Sequence, residues 1–213
     1  MADDFILARG FEPTHRWAIA HLYYAAFQGK IGWILGPTGA SFLANALDPA
    51  FAITALSEDR TRVLGIAGLK TYRGSLTGGL ERGMSQHYGI FGALWRMAVL
   101  SLLERREAAN RMILDGIAVA PAARGLGVGT ALLSAAMAEA AARGLVEVRL
   151  DVIDSNVRAR ALYERRGFEA VRTERLGLLR HVFGFEASTT MRRPVRPGDI
   201  AHRANLSFLG EGA

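Results

Sequence analysis

The chain has 213 residues, no cysteine and a formal net charge of +6; half of its residues are apolar and 22% are charged. That composition is globular, and the absence of cysteine excludes disulfides, a cysteine zinc site and a cysteine nucleophile. Nearly all the basic residues are arginine, with Lys30 and Lys70 the only lysines, and they are scattered among acids rather than gathered into a stripe with interleaved aromatics. No nucleic acid partner is implied, whereas a phosphate-bearing small molecule suits an arginine excess.

The opening segment MADDFILARG carries two acids and no long apolar core, so a cytoplasmic protein without a secretory signal is expected. Residues 5–8 read as a short strand. Pro13 to Phe27 reads as a helix with Trp17, His21, Tyr24 and Gln28 on one face and Gly29 ending it. The turn-rich GKIGWILGPTGA (29–40) predicts a loop, and Ser41 predicts the start of a short helix through Leu47. FAITAL (51–56) and RVLGIAGL (62–69) read as strands joined by the polar turn SEDRT.

Residues 71–85 are glycine-rich and predict a loop. After them Ile90, Phe91, Leu94, Trp95, Ala98, Val99, Leu102 and Leu103 form a stripe at helical spacing. This amphipathic helix (86–103) is too short, and too interrupted by Arg96, to span a bilayer. It is read as packing on its own domain; a membrane-surface or partner-binding role is the alternative.

RMILDGIAVA (111–120) reads as a strand that is apolar on both faces, as in the middle of a sheet. ARGLGVGTALL follows, then a helix from Gly129 to Arg143 closed by Gly144. LVEVRLDVI (145–153) is the next strand; Ser155 or Asn156 caps a helix through Arg166, with Gly167 just beyond it. FEAVRTER and a segment within 178–192 supply further strands. From Pro194 onward little core-forming pattern remains, which predicts a mobile tail (194–213) after a single domain (1–193). The mixture of hairpin-length and helical connections is α/β or α+β with a mixed sheet.

The glycine loop carries chemistry. A strand runs into glycines and then a helix, whose first N–H groups have no intrahelical partner and whose dipole favours an anion. Arg124 adds a full charge. A Walker loop needs a lysine that is absent here. A dinucleotide fingerprint needs G-x-G-x-x-G; from Gly125 the chain reads GLGVGT, so Thr130 stands where the third glycine should be.

AVAPAARGLGVGTALL followed by LDVIDSNVRARALYERRGF resembles the GNAT superfamily of acetyl-CoA-dependent N-acetyltransferases. The likeness covers roughly residues 110–172. It implies a mixed, mostly antiparallel central sheet flanked by helices and splayed between its fourth and fifth strands, with 71–110 as a helical insertion. It also implies acetyl-CoA as the acyl donor and no metal. Backbone groups of Ile117, Ala118 and Val119 would pair with the pantetheine arm. Backbone N–H groups of Arg124, Gly125, Leu126, Gly127, Val128, Gly129 and Thr130 would surround the pyrophosphate. Asn156 would bond the cofactor arm, and Tyr163 would reach the thioester sulfur and protonate the departing thiolate. Many members carry Gln or Arg where this chain has Ala122; main-chain donors are expected to keep the phosphate site intact.

A proton donor near a leaving thiolate and an acceptor for the amine proton are what such a transfer needs. Two acids are candidates for the second role. Asp115 is the lone charge in MILDGIAVA and is expected to share a face with Ile113, Ile117 and Val119. Asp151 lies on the next strand, five residues before Asn156. Tyr88, His87 and His181 are secondary. The family likeness points the acceptor pocket to residues 28–40 and 176–188, with the insertion as a cover for its mouth or a homodimer contact. The amine could be a small molecule or a peptide. The competing readings are a non-catalytic acyl-CoA-binding module and a surface-binding protein acting through helix 86–103.

Overall fold

The computed structural model describes residues 5–80, 84–85, 87–89, 91–94, 110–177, 180 and 184–208, with side chains through 201 except 28–31 and 33. The strands are β1 (Phe5–Arg9), β2 (Ala52–Ser57), β3 (Val63–Thr71), β4 (Gly74–Ser75), β5 (Arg111–Val119), β6 (Glu147–Ile153), β7 (Glu169–Arg175), β8 (Ala187–Pro194) and β9 (Leu206–Phe208). They form one nine-stranded sheet in the order β7-β8-β6-β5-β3-β2-β1-β9, with the two-residue β4 hydrogen-bonded to β3. Pairing is antiparallel except for β5 with β6 and β1 with β9. The expected mixed, mostly antiparallel sheet is therefore present.

Helices α1 (Arg16–Leu35) and α2 (Gly39–Ala46) cover one face, and α3 (Val128–Ala142) and α4 (Val157–Arg165) cover the other. Each face has its own core. Ile19, Tyr23, Ile34, Leu43, Ile66 and Leu76 belong to the α1 side, while Leu132, Met137, Leu150, Tyr163, Phe168 and Met191 belong to the α3 side. Two-sided burial explains why β2 and β3 read as continuous apolar runs.

The glycines of GKIGWIL do not break α1, which runs on through them to Leu35. A helical glycine costs about 1 kcal/mol; here fully buried Ile34 and Leu35 offset it. The real stop is Gly36, at φ +66. The buried face of the first helix carries Ile19, Ala20 and Tyr23, while Trp17, on the face it shares with His21 and Tyr24, is 54% exposed.

Residues 194–208 of the C-terminal segment, expected to be mobile, instead fold onto the domain. A 3-10 segment (Pro197–Asn205) packs on α3, and β9 adds a parallel strand beside β1. Buried Asp199 anchors it, accepting from Arg193 Nη2 and the Arg196 backbone N–H, both at 2.8 Å. The clue was in α3, not in the tail. α3 (VGTALLSAAMAEAAA) is apolar on every side, and a helix of that kind must be covered on every side.

Of helix 86–103, residues 87–89 and 91–94 are described and helical; Trp95 and the rest of the stripe lie outside the described residues, as does His181. Phe91 and Leu94 face outward rather than into the domain, at 88% and 69% exposure. Among the described residues, no helix is long and apolar enough to cross a membrane.

Candidate active site

The site begins where β5 and β6 part. Their parallel pairing covers Arg111–Leu114 with Glu147–Leu150 and goes no further. Beyond it, residues 115–119 of β5 face a gap on the side where β6 would continue. With the two-residue β4 left out of the count, this is the splay expected between the fourth and fifth strands.

A β-bulge marks the start of the gap. Leu69 of β3 pairs with Leu114 and Gly68 pairs with Gly116, which leaves Asp115 as the extra residue. The bulge resets the side-chain alternation. Met112 and Leu114 lie on the α3 side, and so do Ile117 and Val119, two positions of opposite parity. Asp115 therefore does not share a face with Ile117 and Val119 as expected. It lies with Gly116 and Ala118 on the α1 side. There its charge joins burial, the larger cause, in pushing the Tyr23 phenol well above its ordinary range. Asp115 Oδ2 is shielded from solvent.

Alternation also sorts the backbone groups of β5. Ala120 N–H donates to Leu64 O at 2.9 Å, and Ala118 pairs with Ile66. Ala118 thus turns its N–H and C=O toward β3. Ile117 and Val119 turn theirs toward the gap, where a strand edge without a neighbour can receive an extended ligand.

The glycine loop continues from that edge. Pro121–Ala123 form a 3-10 turn, in which Arg124 N–H donates to Pro121 O at 3.3 Å. Gly125 and Gly127 then adopt φ +83 and +84, a left-handed conformation that a side chain resists. Gly127 is the N-cap of α3, and Ala131 N–H makes the helix's first bond, to Gly127 O at 3.0 Å. Among the described residues, the N–H groups from Gly125 to Thr130 donate to no carbonyl. Among the described residues, and apart from the chain neighbours, nothing lies within 4 Å of where a Cβ on Gly125 or Gly127 would stand. Gly129 is backed by Val119 Cγ2 and Leu162 Cδ2, at 3.6 and 3.8 Å from its Cβ position. The result is an open set of N–H donors at a helix N-terminus, which fits an anion such as a pyrophosphate. Leu126 and Arg124 are exposed at its rim, while Val128 is buried beneath it. Ala122 is exposed and contributes only a methyl group.

Beyond the gap, Asn156 caps α4; its Oδ1 accepts from Ala159 N–H at 3.2 Å, which leaves its Nδ2 as the donor for a ligand. Tyr163 is buried on the α3 side beside Phe168, with ring centroids 6.0 Å apart. Burial raises its phenol to about 12. Asp151 stands on β6 one position past the last β5–β6 pair, on the α1 side with Arg149 and opposite Thr190. Thr190, itself buried, donates from Oγ1 to Asp151 Oδ1 at 2.6 Å. The two candidate acids therefore stand on one face of the sheet where β5 and β6 part, while Tyr163 is buried in the core on the other face.

A family model described as "Acetyltransferase (GNAT) family" matches residues 16–168. The chain belongs to the GNAT acetyltransferase family. Membership makes it an enzyme that transfers acyl groups. Among solved structures, one described as an acetyltransferase is 22% identical, aligned over 90% of this chain and 100% of that one with a TM-score of 0.59. A GCN5-related N-acetyltransferase from Kribbella flavida is 19% identical over 89% and 97% of the two chains, with the same TM-score. The ribosomal-protein-S18-alanine N-acetyltransferase from Escherichia coli is 18% identical over 99% of each, with a TM-score of 0.54. These likenesses show the GNAT fold.

Sequence reasoning missed Thr190, Tyr23 and Phe27. Thr190 lies in STTMRR and Phe27 at the end of an apolar helix stretch, and neither segment carries a local motif. Only strand pairing and helix packing bring them to the gap.

Proposed function

We propose that this GNAT enzyme moves an acetyl group from acetyl-CoA to an amine by direct attack, without a covalent enzyme intermediate. The observation that carries this reading is the continuity between two sets of unused backbone groups. The Ile117–Val119 edge leads into the donor N–H groups of Gly125–Thr130, so an extended arm and its pyrophosphate can be held by one stretch of main chain. When bound, the donor supplies an activated thioester.

The chain's own residues supply the rest. The amine nitrogen forms a bond to the acyl carbon, the C–S bond breaks, and the amine proton passes to a carboxylate. Asp115 is assigned that proton, because it stands where the free edge begins, with Asp151 held across the gap by Thr190. Tyr163, raised to about 12, keeps its proton at neutral pH. A thiol is a stronger acid than a phenol raised in this way, so complete transfer of the phenol proton to the departing thiolate is uphill. The phenol therefore acts by hydrogen bonding to the sulfur as charge develops there, and solvent supplies the proton that completes the thiol.

An amine panel, with free CoA thiol as the readout, tests the activity and finds the acceptor. Tyr163→Phe is expected to lower kcat by about 10²-fold with CoA affinity retained, the scale for losing one hydrogen-bond donor to a developing anion; near-normal turnover would remove Tyr163 from the mechanism. Asp115→Asn is expected to lower kcat more than Asp151→Asn. Binding of acetyl-CoA without thiol release across the panel would favour a non-catalytic acyl-CoA-binding module.

A further inference from the structure

The edge of β5 runs from the glycine loop back to the bulge. On the donor assignment proposed above, an arm laid along Val119 and Ile117 brings its acyl end beside Gly116 and Asp115. The surface over that end is aromatic. Phe27 of α1 is seated directly on Gly116, so that a Cβ there would lie 2.0 Å from Phe27 Cζ and within 3 Å of two further ring atoms. Its strand partner Gly68 is covered in the same way by Leu76, whose Cδ2 would lie 2.8 Å from an added Cβ. Two paired glycines thus make a depression in the α1 face of the sheet, with one half filled by Leu76 and the other by Phe27.

The two fillings differ. Leu76 is fully buried, whereas Phe27 is half-buried and lines the edge of the α1 core rather than its interior. Behind it stands Tyr23, with ring centroids 4.5 Å apart; Tyr23 is buried, so it leaves Phe27 little room to retreat. An acyl end lying beside Gly116 therefore has this ring over it on the α1 side. We propose that Phe27, seated on Gly116 and backed by Tyr23, is the specificity-determining residue that limits the acyl group of the donor to a short chain. A longer chain has to displace the ring, and a packed core yields poorly to added methylenes.

Calorimetric titration of the full chain with CoA, acetyl-CoA and butyryl-CoA tests this without a known acceptor. The proteins compared are the wild type, Phe27→Leu and Phe27→Ala, each checked for an intact thermal transition. The wild type is expected to bind butyryl-CoA about tenfold or more weaker than acetyl-CoA, the scale of discrimination for extra methylenes against a pocket wall. Phe27→Ala is expected to bring the two donors to about equal affinity, with Phe27→Leu between them and with free CoA bound alike by all three proteins. A butyryl-to-acetyl ratio that is the same in the wild type and Phe27→Leu would overturn the proposal, as would a wild type that binds both donors equally. Failure of the wild type to bind free CoA is a separate result: it would remove the donor assignment itself.

Discussion

The two ends of α3 are built on opposite principles. Its N-terminus leaves donors unused: Gly125 and Gly127 keep side chains away, and the N–H groups through Thr130 remain open to an anion. Its C-terminal end is tied down by charge. Glu139 is 1% exposed and ion-paired with both Arg9 of β1 and Arg143, the latter at 2.5 Å, while the Arg143 guanidinium lies over the Phe51 ring at 5.9 Å. One end is an unsatisfied terminus held ready for ligand; the other is a buried carboxylate that ties the helix to the sheet. The same helix thus separates affinity from stability along its length.

Mutations at the two ends can break that separation. The largest effect is expected from Glu139→Ala, which leaves two arginine side chains without their buried partner; about 3 to 5 kcal/mol of stability should be lost. Urea denaturation measures it, and CoA affinity of the folded fraction should be unchanged. A coupled loss of affinity would show that the two ends are not independent.

Alkaline titration should give a smaller effect from the α4 side of the same core. The Tyr163 phenol holds its proton to about 12 when folded, against about 10 unfolded. Between those values the unfolded state binds fewer protons, so stability falls as pH rises, by roughly 2 to 3 kcal/mol in all. Tyr163→Phe should flatten that fall, and stability curves for the two proteins that remain parallel above pH 10 would contradict it.

The glycines at the open end give the smallest and most discriminating pair. Gly127→Ala forces a side chain into a left-handed conformation and should cost about 1 to 2 kcal/mol of stability. Gly129 has helical backbone and only ordinary contacts at its Cβ position. Gly129→Ala should therefore leave stability unchanged or raise it by up to about 1 kcal/mol, its methyl meeting Val119 and Leu162 at ordinary contact distance. Equal thermal shifts for the two alanine variants would blur the distinction between left-handed and helical glycines.

Much of the scaffold was legible as local pattern. The strands 52–57, 63–71 and 147–153 and the helix after the glycine loop follow from apolar runs and end signals that act over a few residues. The glycine loop was legible for the same reason: φ +83 and +84 at Gly125 and Gly127 are needs that only glycine meets cheaply. The continuation of α1 through Gly29 and Gly32 was not, because packing of Ile34 and Leu35 decided it against local propensity. Nor was the docking of residues 194–208, whose anchor joins Asp199 to Arg193 and whose β9 pairs with β1 at the far end of the chain.

By itself, then, the sequence determined the parts whose causes are local: helix caps, left-handed glycines, alternating or continuous apolar strands, and an anion-ready helix start. The tertiary structure decided what depends on register. A single extra residue at the β5 bulge turns Asp115 away from Ile117 and Val119 and toward Tyr23, because one added residue inverts which face every following side chain meets. It also sets Phe27 on Gly116 and pairs Asp151 with Thr190, contacts between segments far apart in the chain that no local spacing encodes.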